Sequence, residues 1–235
     1  MIPLGTGNAL ANDLDIPWDP AKAARLALQF EPRRISAGRI DYGVREEKPQ
    51  TRYFTVMAGV GADAEMLYRI TAQHKMRFGI NAYYAYAMMT YFTHNFPSFE
   101  VEFQDVASEK GVRRREKVTQ MMAVRISTFG GLVKRLAPGA ALERDDVRLV
   151  LFKTRNRLAY LLYSIGTIVN WHLPVPGVEL LSATDIDCFP LPEEKHRKHS
   201  RRIYSEADGE LLGALPVKIR IVRDAFTLLM PPRGA

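Results

Sequence analysis

Four short stretches of this 235-residue chain hold residue types that could handle a phosphoryl group. The first is Pro3-Leu4-Gly5-Thr6-Gly7-Asn8-Ala9-Leu10-Ala11. A glycine turn running into a helix leaves backbone N–H groups unpaired where the helix dipole favours an anion, and Thr6 and Asn8 could add side-chain donors. The second, Gly59-Val60-Gly61-Ala62-Asp63-Ala64-Glu65, follows an apolar run and would set two acids at the carboxyl end of a strand. The third, Lys75-Met76-Arg77-Phe78-Gly79-Ile80-Asn81-Ala82-Tyr83, puts cations just ahead of an apolar helix, where they could neutralise transferring oxygens. The fourth is Glu206-Ala207-Asp208-Gly209-Glu210. Phosphorylating an alcohol requires a carboxylate that takes the hydroxyl proton in line with the γ-phosphate, and Asp208 has that chemistry. Each stretch also has a plain reading: a helix-capping turn, a bulge with solvated acids, a solvated helix start, and an ordinary Asp-Gly turn.

The elements around these stretches alternate between strand and helix patterns. Pro20 opens a helix through AKAARLALQ, with apolar residues at helical spacing. ISAGRIDYGV and TRYFTVMAGVG, separated by the charged turn REEKPQ, read as a hairpin or meander. Further strands are expected at 99–103, 117–126, 147–152, 177–184, 217–222 and 226–230, a number that suggests a sandwich-like β domain. Two helical inserts interrupt them, at 66–95 (with NAYYAYAMMTYF) and at 156–170 (NRLAYLLYSIGTIVN). Helices apolar on nearly every side are buried or face lipid; here a core role with lipid contact at one end or face is expected.

Composition narrows the partners. Lys and Arg total 33 against 26 Asp and Glu, giving a formal charge of +7, which suits nucleic acid, an anionic membrane or a phosphorylated substrate. No zinc-finger spacing or RNA-binding aromatic motif is present, so no nucleic-acid partner is expected. The single cysteine, Cys188, excludes an internal disulfide framework and fits a reducing compartment. No uninterrupted apolar run of membrane-spanning length occurs, so a soluble, cytoplasmic protein is expected, peripheral at the inner membrane face. The basic run KHRKHSRR at 195–202 could touch an anionic surface, or be a solvated loop.

Taken in order, these motifs resemble the diacylglycerol kinase and sphingosine kinase superfamily of lipid kinases, especially its soluble bacterial members. PLGTGNALA resembles the second nucleotide motif of that family. GVGADAE and the K-x-x-x-G-x-x-A-Y pattern from Lys75 to Tyr83 follow at fitting distances. Phe129-Gly130-Gly131, Leu136-Ala137-Pro138-Gly139-Ala140 and Asp145-Asp146 match a glycine-rich turn and the strand after it, and EADGELLGALPVKIRIVRDAFTLLMP is similar to the family's C-terminal stretch. The resemblance implies that Asp208 is the general base supported by Glu210. It further implies that Gly5, Thr6 and Asn8 contact ATP, that Arg77 approaches its phosphates, and that Glu65 meets the lipid head group. Asp146 stands where relatives hold structural magnesium, although the glycine usual after it is here Val147. The Gly-Gly-Asp-Gly-Thr loop that precedes PLGTGN in the family does not occur, so an N-terminally truncated form with little turnover of its own is expected.

The expected architecture is α+β. A mainly antiparallel β-sandwich lipid-substrate domain with helical inserts fills 35–225. A remnant of an α/β Rossmann-like nucleotide domain occupies 1–34, and a C-terminal strand and tail at 226–235 returns to it. The expected activity is transfer of the ATP γ-phosphate to a lipid hydroxyl with Mg2+, with homodimerisation a possibility. The competing expectations are a non-catalytic lipid-binding or regulatory module and a kinase of a soluble small molecule.

Overall fold

The computed structural model describes residues 1–43, 49–70, 77, 79–109, 112–171, 174–191 and 202–232. The motif residues Lys75, Met76 and Phe78, the charged turn after residue 43, and the basic run up to residue 201 lie outside them.

Two short helices come first, α1 (Ala9–Asp13) and α2 (Pro20–Ala27). The Asp19 carboxylate caps α2 by accepting from the amides of Ala21 and Lys22, and Pro20 takes the first helical position, where no N–H is missed. The strands β1 (Glu31–Tyr42), β2 (Gln50–Phe54) and β3 (Met57–Val60) lead into α3 (Ala62–Arg69) and α4 (Ile80–Thr93). Then follow β4 (Phe99–Asp105), β5 (Arg113–Val118), β6 (Gln120–Val124) and β7 (Val147–Phe152). Helix α5 (Arg157–Val169) precedes β8 (Val178–Pro190), β9 (Tyr204–Ala207), β10 (Glu210–Ala214) and β11 (Val217–Met230).

The eleven strands among the described residues belong to one hydrogen-bonded sheet, in which β10-β9-β3-β6-β7-β8-β11-β1-β2 are consecutive neighbours and β4 and β5 branch from β8. Every pairing is antiparallel. The two layers expected of a sandwich are therefore made by one curled, branched sheet. Strand β8 is the branch point: its first half pairs with β7, its second half with β11, and β4 runs along its other edge.

Alternation sorts the side chains between two cores. From β6, Met121 and Ala123 enter the core enclosed by the curled sheet, beside Phe99, Phe103, Leu149 and Ile219. Met122 and Val124 face the other way, into a second core with Phe96, Phe152, Tyr160 and Tyr163. Both faces of β6 are thus buried, which is why its sequence reads as a continuous apolar run. A third core, including Ala11, Ile16, Ala23, Phe30, Ile35 and Met230, packs the N-terminal helices onto the ends of β1 and β11.

Two expected strands are interrupted. TRYFTVMAGVG divides into β2 and β3 because the amides of Thr55, Val56 and Met57 turn to a carboxylate from another part of the chain. The strand expected at 117–126 breaks at Thr119, whose amide and hydroxyl both donate to Phe152 O. Conversely, the strands expected at 217–222 and 226–230 form one strand, β11.

Arg125 locks the end of the sheet. Its side chain is completely buried, and its guanidinium donates to four carbonyls: Ser36 (2.9 Å), Leu142 (2.9 Å), Arg144 (3.2 Å) and Asp146 (3.2 Å). The register of β1 shifts between Ile35 and Ala37, so Ser36 sits at an irregularity of the ladder, where its carbonyl goes to Arg125 instead. Burial lowers the pKa of Arg125, while the charges of Asp145, Asp146 and Asp208 oppose the shift. Replacing Arg125 with Met would remove the donor from three buried carbonyls and from the part-buried carbonyl of Arg144. We expect Arg125→Met to lose about 3 kcal/mol of unfolding free energy in urea titrations, and a loss below about 1 kcal/mol would contradict this role.

Candidate functional site

Asp208 occupies the turn between β9 and β10 in the left-handed conformation (φ 49°), followed by Gly209 (φ 81°). Its carboxylate is exposed but held by the protein. Oδ1 accepts from the amides of Val56 (2.9 Å) and Met57 (3.0 Å), and Oδ2 from the amide (2.9 Å) and hydroxyl (3.3 Å) of Thr55. The Asp208 amide in turn donates to Met57 O. With two partners on each oxygen the carboxylate is fully satisfied. Its weakest partner is the Thr55 hydroxyl. A cleft of about 340 Å3 opens beside it, lined by Ala37, Tyr53, Thr55, Val222, Ala225 and Phe226. That volume lies at the small end of ligand sites.

The opening glycine loop reaches the same end of the sheet. Gly5 and Asn8 pair reciprocally: the Gly5 amide donates to Asn8 Oδ1 (2.8 Å), and Asn8 Nδ2 donates to Gly5 O (2.9 Å). Thr6 is exposed between them. Asn12 Nδ2 bonds Phe129 O (2.9 Å), and a Cβ at Gly130 would lie 2.2 Å from that nitrogen, so only glycine admits this contact. Tyr84 of α4 accepts the Leu132 amide at 3.0 Å. The loop at 5–8, the Gly130-Gly131 turn and the start of α4, three residues beyond Arg77, therefore converge. A short bonded path links them to Asp208: Asp13 accepts the amides of Ser127 and Thr128, and the Arg125 amide donates to Val56 O.

The other residues singled out in the sequence have partners of their own. Glu210 pairs with Arg52 of β2. Glu65 accepts from Arg69 Nε at 3.0 Å, and Arg69 reaches Thr93, joining α3 to the end of α4. Asp146 is engaged by the Arg144 fork on both carboxylate oxygens, so a magnesium ion there would have to displace Arg144. Among the described residues, no group of three or more His, Cys, Asp or Glu gathers at one point.

A second carboxyl pair escaped the sequence reading. Glu206 is opposite Gly59 in the β9–β3 register, and its side chain is 2% exposed. A Cβ on Gly59 would fall 1.7 Å from Asp63 Oδ2 and 3.0 Å from Glu206 Oε1, so the two carboxyls crowd the space that this glycine leaves. Both of those oxygens are buried without a hydrogen-bond partner. Burial pushes Asp63 up to about 7, and burial followed by the Asp63 charge raises Glu206 well above the ordinary carboxylate range. One proton shared across Gly59 would satisfy both orphaned oxygens, and the pair holds at least that proton near neutrality. Both acids stood in the motifs. The missing signal was the pairing of an interior strand glycine with a glutamate far along the chain.

No family model matches this chain, and no curated protein matches it in sequence. Solved structures do. A candidate diacylglycerol kinase from Bacillus anthracis str. Sterne superimposes with a TM-score of 0.71 at 18% identity, over 100% of this chain and 68% of that one. A structure described as a diacylglycerol kinase from the same organism gives 0.67 at 18% identity, over 100% and 69%. The chain has the diacylglycerol-kinase fold. In this chain the Asp208 turn, the glycine loop and the cleft beside Thr55 lie at one end of the sheet, with the Asp63–Glu206 pair at the start of α3.

The pair makes stability depend on pH in a definite direction. Carboxyls whose folded pKa is raised contribute stability that is complete below their unfolded values, near pH 4, and is lost as pH rises through the folded values, about 7 for Asp63. Glu206→Gln removes the Glu206 share of that loss, while the burial-driven share of Asp63 remains. Relative to the parent, the variant should therefore gain stability between pH 4.5 and pH 8 in denaturant titrations. A parent-to-variant difference that stays constant with pH would refute the shared proton.

Proposed function

We propose that this chain carries the acceptor side of a lipid kinase, which transfers the γ-phosphate of ATP to a lipid hydroxyl. The observation that carries the reading is the meeting of Asp208, the apolar cleft and the glycine loop at one end of a diacylglycerol-kinase fold. On this reading Asp208 accepts the proton of the lipid alcohol. The incoming hydroxyl takes the place of the Thr55 hydroxyl on Oδ2, since that 3.3 Å contact is the weakest of the four. The three amides keep the carboxylate aimed while the alcohol is exchanged. Gly5, Thr6 and Asn8 form the nucleotide side, with Arg77 supplying positive charge near its phosphates. ATP brings magnesium on its own phosphate oxygens. In this division residues 1–34 belong with the nucleotide side, and 35–225 with the acceptor.

One observation favours a second reading, a lipid-binding module without catalysis. Asp208 is fully satisfied within the protein and Asp146 is closed by Arg144, so neither carboxylate stands open in this state.

The two readings part in a transfer assay with γ-labelled ATP and a panel of lipid alcohols. Catalysis through Asp208 predicts that Asp208→Asn lowers label transfer by at least about 100-fold, while Thr55→Val stays within about five-fold of the parent. Equal effects of the two substitutions would contradict the role of Asp208. Binding of a lipid alcohol with no transfer to any lipid, unchanged in Asp208→Asn, would establish the second reading.

A further inference from the structure

Helix α5 is apolar on both sides, and only one side is covered. Ala159, Tyr160, Tyr163 and Gly166 face the second core. On the opposite side Leu158, Leu161, Leu162, Ile165, Ile168 and Val169 are exposed. At 100° per residue these six fall within about one third of the helix circumference, a continuous aliphatic stripe. Their exposure runs from 39% at Leu161 to 56% at Leu158 and Val169. Scattered exposed apolar residues are normal on a protein surface; a contiguous stripe of this kind marks an interaction site.

The surroundings say what the stripe meets. Asn170 closes the helix in the left-handed conformation, and the Trp171 amide donates to Gly166 O at 3.0 Å, which fixes a tryptophan that is 67% exposed at the end of the stripe. The Lys134 amide donates to Thr167 O, bringing exposed Leu132, Lys134 and Arg135 alongside. Exposed Arg155 and Arg157 stand at the other end. Neither α4 nor α5 contains a single carboxylate. In contrast, the arginines of β5 are neutralised locally, with Arg114 bound to Asp105, Glu116 and Glu179. Four cations, Lys134, Arg135, Arg155 and Arg157, thus flank the aliphatic stripe. Aliphatic residues on a helix lying flat, a tryptophan at its end and cations at its rim together complement the interface of an anionic bilayer.

We propose that the exposed face of α5, with Trp171 and the Lys134–Arg135 rim, docks the protein on anionic membrane lipid. The helix lies in the interface plane, its aliphatic residues among the acyl chains and the cations at the head groups. No helix among the described residues is long and apolar enough to cross a bilayer. The proposal does not depend on phosphoryl transfer, and it assigns docking to α5 rather than to the basic run at 195–202.

The test uses vesicles of phosphatidylcholine with and without phosphatidylglycerol, read by co-sedimentation and by Trp171 fluorescence in a Trp18→Phe background. Anionic vesicles should bind the protein and shift the Trp171 emission to the blue. Ile165→Glu should lower the bound fraction by about ten-fold with unchanged circular dichroism and melting temperature. Lys134→Glu with Arg135→Glu should abolish the preference for phosphatidylglycerol. Absence of vesicle binding overturns the proposal, as does binding lost on charge reversal at 195–202 but retained in Ile165→Glu. A dimer in sedimentation that dissociates in Ile165→Glu, without vesicle binding, assigns the stripe to a second copy and overturns it equally.

Discussion

A single carboxylate takes the three consecutive amides of Thr55, Val56 and Met57, and the geometry at this end of the molecule follows from that. Turning those amides toward Asp208 breaks the strand between β2 and β3. The Val56 carbonyl is then offered to the Arg125 amide, and the Arg125 guanidinium collects the carbonyls of Ser36 in β1 and of Leu142, Arg144 and Asp146 in the segment before β7. Two residues further on, Ser127 and Thr128 are held by Asp13 at the end of α1. The glycine loop is therefore fixed to the same frame as Asp208, although more than a hundred residues separate them in sequence.

Glu206 and Asp208, two residues apart, have opposite fates because β9 ends between them and Asp208 stands in the left-handed turn that follows. Ala207 points into the enclosed core, Glu206 into the space above Gly59, and Asp208 to the surface of the turn. Glu206 sits where desolvation governs and no donor serves its Oε1, so protonation is its cheapest escape. Asp208 remains near water, with backbone donors supplied by a neighbouring segment. Identical side-chain chemistry thus yields a proton-holding pair in one place and an aimed acceptor in the other.

Much of this could be read from the chain. The apolar runs located most strands, Pro20 marked the start of α2, and Asp208 was singled out by the resemblance of its surroundings. What was illegible depended on distant partners. The breaks at Thr55–Val56 and Thr119 are set by Asp208 and Phe152, and nothing local in TRYFTVMAGVG announces them. Arg125 reads as one charge ending an apolar strand, since its four carbonyl acceptors come from two other segments. The pairing of Gly59 with Glu206 required the sheet order. Helix α5 is apolar all round, so periodicity could not distinguish its covered side from its bare one. The sandwich became one branched sheet because β8 is long enough to serve two neighbours in succession.

The proposed transfer requires that an alcohol displace the Thr55 hydroxyl at Asp208. A crystal structure of the chain with a short-chain diacylglycerol decides it most directly. The predicted result is a lipid hydroxyl within about 3 Å of Asp208 Oδ2, with the amides of Thr55, Val56 and Met57 still bound to the carboxylate. A lipid whose hydroxyl lies away from Asp208, with the Thr55 contact intact, would contradict the account.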